Sequence, residues 1–184
     1  MVETQIVNVV ATASLNQELD FYELRQYKEI FHDSDVYGGR VAYLKTKNME
    51  GRVSLFPSGK MISVGTRSEK KAFEELNCAM RFLVEKGFIK KVTLSPRTQN
   101  IVVTVDFERR VNLEELVANT RGIYKPKQFP AFILKVEKPY TASILIFASG
   151  KVIIAGLKSS EQIVPVIQKI EDILKALKNL SHES

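Results

Sequence analysis

Cysteine is almost absent from this chain: Cys78 is the single copy in 184 residues. That excludes an internal disulfide framework and fits a reducing compartment. Its setting, "FEELNCAMRFL", reads as a packed helix position. Long apolar runs are missing too. Stretches such as "SILIFA" (143–148) are far too short to span a bilayer, so no membrane partner is expected. The opening "MVETQIVNVV" holds an acid and no basic region, so no secretory leader is expected. Histidine occurs only as His32 and His182, neither in metal-ligand spacing, and no metal or other cofactor is expected. "SGK" occurs twice but lacks the glycine spacing that precedes a phosphate loop, and no nucleophile–base arrangement is visible. Nothing here reads as an enzyme.

What is present is an ordinary globular composition, 45% hydrophobic and 26% charged, with a formal net charge of +6. Residues 1–95 carry 14 Lys+Arg against 12 Asp+Glu, and 96–184 carry 13 against 9, so no basic tail holds the excess. The balance leans toward an anionic partner without identifying one.

The chain repeats itself. "FPSGKMISVGTRS" (56–68) returns as "FASGKVIIAGLKS" (147–159), with seven of thirteen positions identical. "NVVAT" (8–12) answers "NIVVT" (100–104), and "LDFYEL" (19–24) answers "VNLEEL" (111–116). Two copies are too few for a solenoid. They predict two like halves, 1–95 and 96–184, related by a pseudo-twofold and joined through their sheets.

Each copy reads as strand, helix, several strands, helix. β-Branched residues make 6–15 a strand, and 20–30 reads as a short helix. Residues 38–46, 51–58 and 60–67 read as antiparallel strands, with Ser58-Gly59 and Ser149-Gly150 supplying tight turns. Ser68 is an N-cap for a helix through Lys86, stopped by Gly87. Ser159 opens the matching helix, where Pro165 predicts a kink or a late start.

Two helices per copy cover only one face of the strands. Period-two alternation puts Leu55, Met61, Ser63, Ile146, Val152 and Ile154 toward the helices. It puts Ser54, Phe56, Ser58, Lys60, Ile62 and Val64 on the other face, with Leu145, Phe147, Ser149, Lys151, Ile153 and Ala155 as counterparts. Asn8, Val10 and Thr12 join that uncovered face, as do Asn100, Val102 and Thr104. An apolar sheet face without helices marks an interaction surface, or buries against another subunit or an unrecognised loop. Periodicity alone leaves both readings open.

The motifs "VNVVAT" (7–12), "QNIVVT" (99–104), "YKPKQFPAFILKVEKP" (124–139), "LFPSGKMISVG" (55–65) and "LIFASGKVIIAG" (145–156) together resemble the TATA-box-binding protein family, over roughly residues 5–180. The resemblance implies an α+β fold: a saddle-shaped, curved antiparallel sheet with helices on the convex face and two pseudo-symmetric repeats. This family is itself a standing example of minor-groove binding and DNA kinking by a β-sheet, so that geometry is the family's property and not a deduction from these residues. The resemblance makes Asn8 and Asn100 readers of minor-groove acceptors, where A·T and T·A look nearly alike. Val10, Thr12, Ile62, Val64, Val102, Thr104, Ile153 and Ala155 become the surface pressed on the bases. Phe56, Phe129 (beside Pro130) and Phe147 match wedges between base steps, with Tyr37 at the fourth wedge position. Ser58, Lys60, Arg67, Lys135, Ser149, Lys151 and Lys158 match phosphate-side contacts, which position the duplex without reading it.

This chain departs from the family in places. Val64 and Ala155 stand where threonines are usual, and Lys135 replaces an arginine, losing its planar fork. Lys125 and Lys127, with Gln128, occupy the stirrup on which a transcription factor B-like protein docks, where acids are common. The first copy keeps Asp33 and Asp35. Turns around Lys47–Glu50 and Tyr140–Thr141 are longer than usual.

The resemblance therefore implies a general initiation factor that binds and bends A·T-rich promoter DNA and works with a transcription factor B-like protein and RNA polymerase. It acts as a monomer on DNA, with a homodimer left open off it, in the nucleoid if archaeal and the nucleus if eukaryotic. The alternative is a divergent saddle-fold interaction protein that binds DNA weakly or without bending. Intact Asn8, Asn100 and the phenylalanines favour the first; Val64, Ala155 and the lysine stirrup favour the second.

Overall fold

The computed structural model describes residues 2–180. In chain order the first elements are β1 (Glu3–Ser14), α1 (Phe21–Leu24), β2 (Ile30–His32), β3 (Ala42–Leu44), β4 (Arg52–Leu55), β5 (Lys60–Thr66) and α2 (Glu69–Glu85). Then follow β6 (Arg97–Asp106), α3 (Leu113–Asn119), β7 (Ile123–Lys125), β8 (Phe129–Val136), β9 (Ala142–Phe147), β10 (Lys151–Leu157) and α4 (Ile163–Leu180). The chain divides into two compact units: Asn8–Gln99, and the part from Asn100 onward together with the first residues through Val7.

In the Asn8–Gln99 unit the strands lie in the order β2-β3-β4-β5-β1, every neighbour antiparallel. Helix α2 packs on β5 and β4. It buries Ala72, Leu76, Ala79, Met80 and Leu83 above Val53, Leu55 and Met61, all buried. Each large side chain so removed from water contributes roughly 1.5–3 kcal/mol. Ser68 caps α2 as expected, its side chain accepting from the Lys71 N–H, and Gly87 follows the helix with φ of 79°.

The second unit has the order β6-β10-β9-β8-β7, again antiparallel. Helix α3 packs on β8, β7 and α4, while α4 buries Ile163, Val166, Ile170, Leu174 and Leu177. Ser159 caps a single 3-10 turn, Ser160–Gln162, and the α-helix begins only after it. Pro165 then falls within the first four residues, whose N–H groups have no intrahelical acceptor, so no hydrogen bond is lost. That is the late start the proline predicts.

Two local expectations need correction. The helix expected over 20–30 stops at Leu24, because Tyr27 and Ile30 donate their N–H groups to Leu24 and Tyr27 in successive turns that lead into β2. The strand expected over 38–46 is only Ala42–Leu44, since Gly38 and Gly39, at φ of 62° and 69°, hold the preceding stretch in a 3-10 turn.

Candidate nucleic-acid interface

Both units present a sheet face that their helices leave uncovered, and pairing register fixes what stands on it. In the Asn8–Gln99 unit one row across the strands is Thr12, Ile62, Ser54, Tyr43, Phe31. The next is Val10, Val64, Arg52. In the other unit the matching rows are Thr104, Ile153, Leu145, Ile133, Ile123 and Val102, Ala155, Ser143, Lys135. Val10, Ile62, Val64, Val102, Ile153 and Ala155 are half-buried, so their apolar tips remain within reach of a ligand. On the opposite face Met61, Ser63, Ile146, Val152 and Ile154 are buried, as alternation requires. Ser54 differs from expectation: it belongs to the open face but is only 9% exposed, shaded by the larger Ile62 and Tyr43 on either side.

The two asparagines are held the same way. Val9 pairs with Thr66 and Val10 with Val64, so Gly65 is an extra residue, a β-bulge. In the other unit Leu157 pairs with Ile101 and Ala155 with Val102, leaving Gly156 extra. Each bulge N–H turns to the asparagine side chain: Gly65 donates to Asn8 Oδ1 at 2.9 Å, and Gly156 to Asn100 Oδ1 at 2.7 Å. Those bonds fix the amide orientation, since only the oxygen accepts from an N–H. Neither Nδ2 has an acceptor among the described residues, so both amides offer their donors outward. Nearby, Gln99 Nε2 donates to Thr12 Oγ1 at 2.9 Å, and Thr104 Oγ1 donates to the Gln5 carbonyl at 3.5 Å.

The aromatic residues are unequal between the units. Phe129 and Phe147 meet edge-on, ring centroids 6.1 Å apart, with Phe129 41% exposed and Pro130 exposed beside it. Phe147 also borders an open cavity of about 410 Å³ with Thr104, Asp106, Ser149, Lys151 and Ile153. Phe56 is half-buried at the equivalent hairpin. Ala42 faces Leu55 where Phe132 faces Ile146, so Gly39 occupies the register position of Phe129. Tyr37 lies two residues earlier in the 3-10 turn, 73% exposed and without a ring contact among the described residues.

Ser58, Lys60, Arg67, Lys135, Ser149, Lys151 and Lys158 are all exposed. Lys60 pairs with Ser14 and Lys151 with Asp106 across the ladders. Lys125, Lys127 and Gln128 form the exposed β7–β8 turn, closed by the Gln128 N–H donating to the Lys125 carbonyl at 2.8 Å. Sequence reasoning missed Phe31, Tyr43 and Arg52 on the open face. The alternation of "RVSL" places Arg52 with Ser54, a signal that was there; Phe31 lay just past the end of the helix expected over 20–30. His32 Nε2 bonds the Gly39 carbonyl at 2.9 Å, and His182 lies outside the described residues. Among the described residues no group of three His, Cys, Asp or Glu side chains is placed to hold a metal, and no helix is long and apolar enough to cross a membrane.

The family model for "Transcription factor TFIID (or TATA-binding protein, TBP)" matches residues 3–85 and 95–177, once per repeat. The TATA-box-binding protein of Cenarchaeum symbiosum is 41% identical over 160 residues, covering 86% of this chain and 87% of that protein. That of Methanococcus aeolicus is 31% identical over 177 residues, covering 95% and 96%. Among solved structures, Methanococcus jannaschii TBP matches with a TM-score of 0.84 at 27% identity, covering 95% of this chain and 99% of that one.

Proposed function

The chain belongs to the TATA-binding protein family of transcription factors, and from that premise we propose that it binds and bends A·T-rich promoter DNA through the minor groove and nucleates initiation. One observation carries this reading in the chain's own terms: the Asn8 and Asn100 amides are locked by bulge N–H groups, and their Nδ2 donors have no acceptor among the described residues. The minor groove offers acceptors at every base pair and a guanine amino donor only at G·C. Outward N–H donors set among Val10, Ile62, Val102 and Ile153 suit acceptors and leave no room for that amino group. Phe56, Phe129 and Phe147, at hairpins bordering these rows, act as wedges at base steps, and Tyr37 serves as a looser fourth. Lys60, Lys151, Arg67, Lys158 and Lys135, with Ser58 and Ser149, take the phosphates. The divergent interaction protein is not favoured, since the matches span both repeats.

A transcription factor B-like protein and RNA polymerase are the partners we assign, with Lys125, Lys127 and Gln128 as the docking turn. One copy acts per DNA site, in the nucleoid of an archaeal cell. A gel shift with a bending readout at controlled salt, comparing an A·T-rich box with a G·C-substituted one, tests the reading. Tight, bent binding to the first alone is expected. Weak, unbent and equal binding to both would overturn it.

A further inference from the structure

The two copies reverse their charge along one short segment. Residues 29–35 run "EIFHDSD", and their repeat counterparts, 121–127, run "RGIYKPK". Glu29 answers to Arg121, Asp33 to Lys125 and Asp35 to Lys127, so every acid of the first segment meets a base in the second.

The fold gives both segments the same place. Each holds the outermost strand of its unit, β2 in one and β7 in the other, with no partner strand on the outer side among the described residues. Phe31 and Ile123 end the matching open-face rows and are 61% and 55% exposed. Phe31 stacks on Tyr43, centroids 6.3 Å apart at 27°, and the Arg52 guanidinium lies over that tyrosine at 4.4 Å from its centroid. The Lys45 N–H donates to the Glu29 carbonyl at 2.9 Å, which carries the ladder one residue before β2. Alternation then sets Glu29 and Asp33 on the same side as Phe31, and Arg121 and Lys125 on the same side as Ile123. Arg121 and Lys125 are exposed, and Glu29 and Asp33 are half-buried. Asp33 Oδ1 accepts from the Asp35 N–H at 2.8 Å, and none of these four side chains has an ion-pair partner among the described residues.

An open sheet edge is a template for another strand, and charge decides which strand it accepts. Two β2 edges brought together set acid against acid, and two β7 edges set base against base, which is destabilising. The pairing that charge permits is β2 with β7. In antiparallel register, with Phe31 opposite Ile123, Glu29 meets Lys125 and Asp33 meets Arg121. An acid–apolar–acid row lies on a base–apolar–base row.

We infer that β2 of one copy docks antiparallel on β7 of a second copy, so that the protein associates head to tail. The contact is heterologous: each pair keeps one free acidic edge and one free basic edge, and growth passes two copies unless the rotation closes a ring. The strands are short and the charges lie at the surface, so the contact is weak and salt-sensitive. Lys125 also belongs to the turn assigned to the transcription factor B-like partner, and the two uses exclude each other.

Sedimentation velocity on the DNA-free full chain tests this. Between roughly 10 and 500 µM at low salt the weight-average mass should rise at least about two-fold, and about 0.5 M NaCl should remove most of the rise. Glu29→Lys with Asp33→Lys should remain a single copy throughout, as should Arg121→Glu with Lys125→Glu. An equimolar mixture of these two variants should associate again, since one carries two basic edges and the other two acidic ones. Glu29→Gln with Asp33→Asn keeps an oxygen for the Asp35 N–H and reads the same contact if the lysine pair does not fold. It should weaken association by about two- to thirty-fold, with the melting temperature unchanged. A starting protein that stays a single copy at every concentration defeats the proposal. So does association that survives in either charge-reversed variant, or a mixture of the two that stays monomeric.

Discussion

Asn8 and Asn100 use the two ends of one side chain for different purposes. The oxygen accepts from a bulge N–H that would otherwise lack a partner, and the nitrogen is left to a ligand. Asn8→Asp separates these roles, because a carboxylate still accepts from Gly65 but has nothing to donate. The melting temperature should stay within a few degrees while affinity for an A·T-rich box falls by about 1–3 kcal/mol, roughly ten- to a hundred-fold, in a fluorescence titration. The aromatic asymmetry gives a second test. Phe129 and Phe147 touch, whereas Tyr37 makes no ring contact among the described residues. A double-mutant cycle on thermal stability of Phe129→Ala and Phe147→Ala should show coupling of about 0.5–1.5 kcal/mol. The cycle on Tyr37 and Phe56 should show none. The asparagines stood out in the sequence because they recur in matching places. The bonds that orient them did not, since they join residues 57 and 56 positions apart.

At the level of elements, the doubled hairpin is where sequence and structure agree most closely. Gly59 and Gly150 have φ of 80° and 93°, and a Cβ on either would lie 2.0 Å from the carbonyl oxygen of Gln17 or Arg109. Two needs coincide, a left-handed turn and a backbone crossing close by, so the motif tolerates no other residue. Gly150→Ala should therefore destabilise by well over 1 kcal/mol, visible as a lower thermal midpoint. Ser68→Ala, which removes the α2 cap, should cost about 1 kcal/mol. The long helix and these hairpins were legible because their signals are local: a cap, a period, a turn dipeptide. The stretch 20–30 was misread for the opposite reason. Its helical pattern competes with the pairing of Ile30 and Phe31 to Leu44 and Tyr43, and a partner strand over ten residues away is invisible to a local pattern.

For the whole molecule the expected behaviour is electrostatic. Phosphate contacts spread over both units should make log affinity fall linearly with log salt, with a slope near −0.9 for each contact. Truncating Lys60 and Lys151 together to alanine should reduce that slope by about two in a salt titration, with sequence preference unchanged. The β7–β8 turn carries the recruitment prediction: Lys125→Glu with Lys127→Glu should strengthen capture of a basic transcription factor B-like partner on DNA, measured by supershift. By itself the sequence determined the repeat, the family, the helix caps, and which residues alternate toward the open face, because each is written in nearest-neighbour chemistry or in recurrence along the chain. Only the tertiary structure decided the rest: bulge glycines turning two amides outward, Ser54 shaded by its neighbours, Gly39 rather than Tyr37 at the register of Phe129, and Arg52 held over Tyr43. All of these are set by strand register, and register comes from pairing between segments the chain keeps apart until it folds.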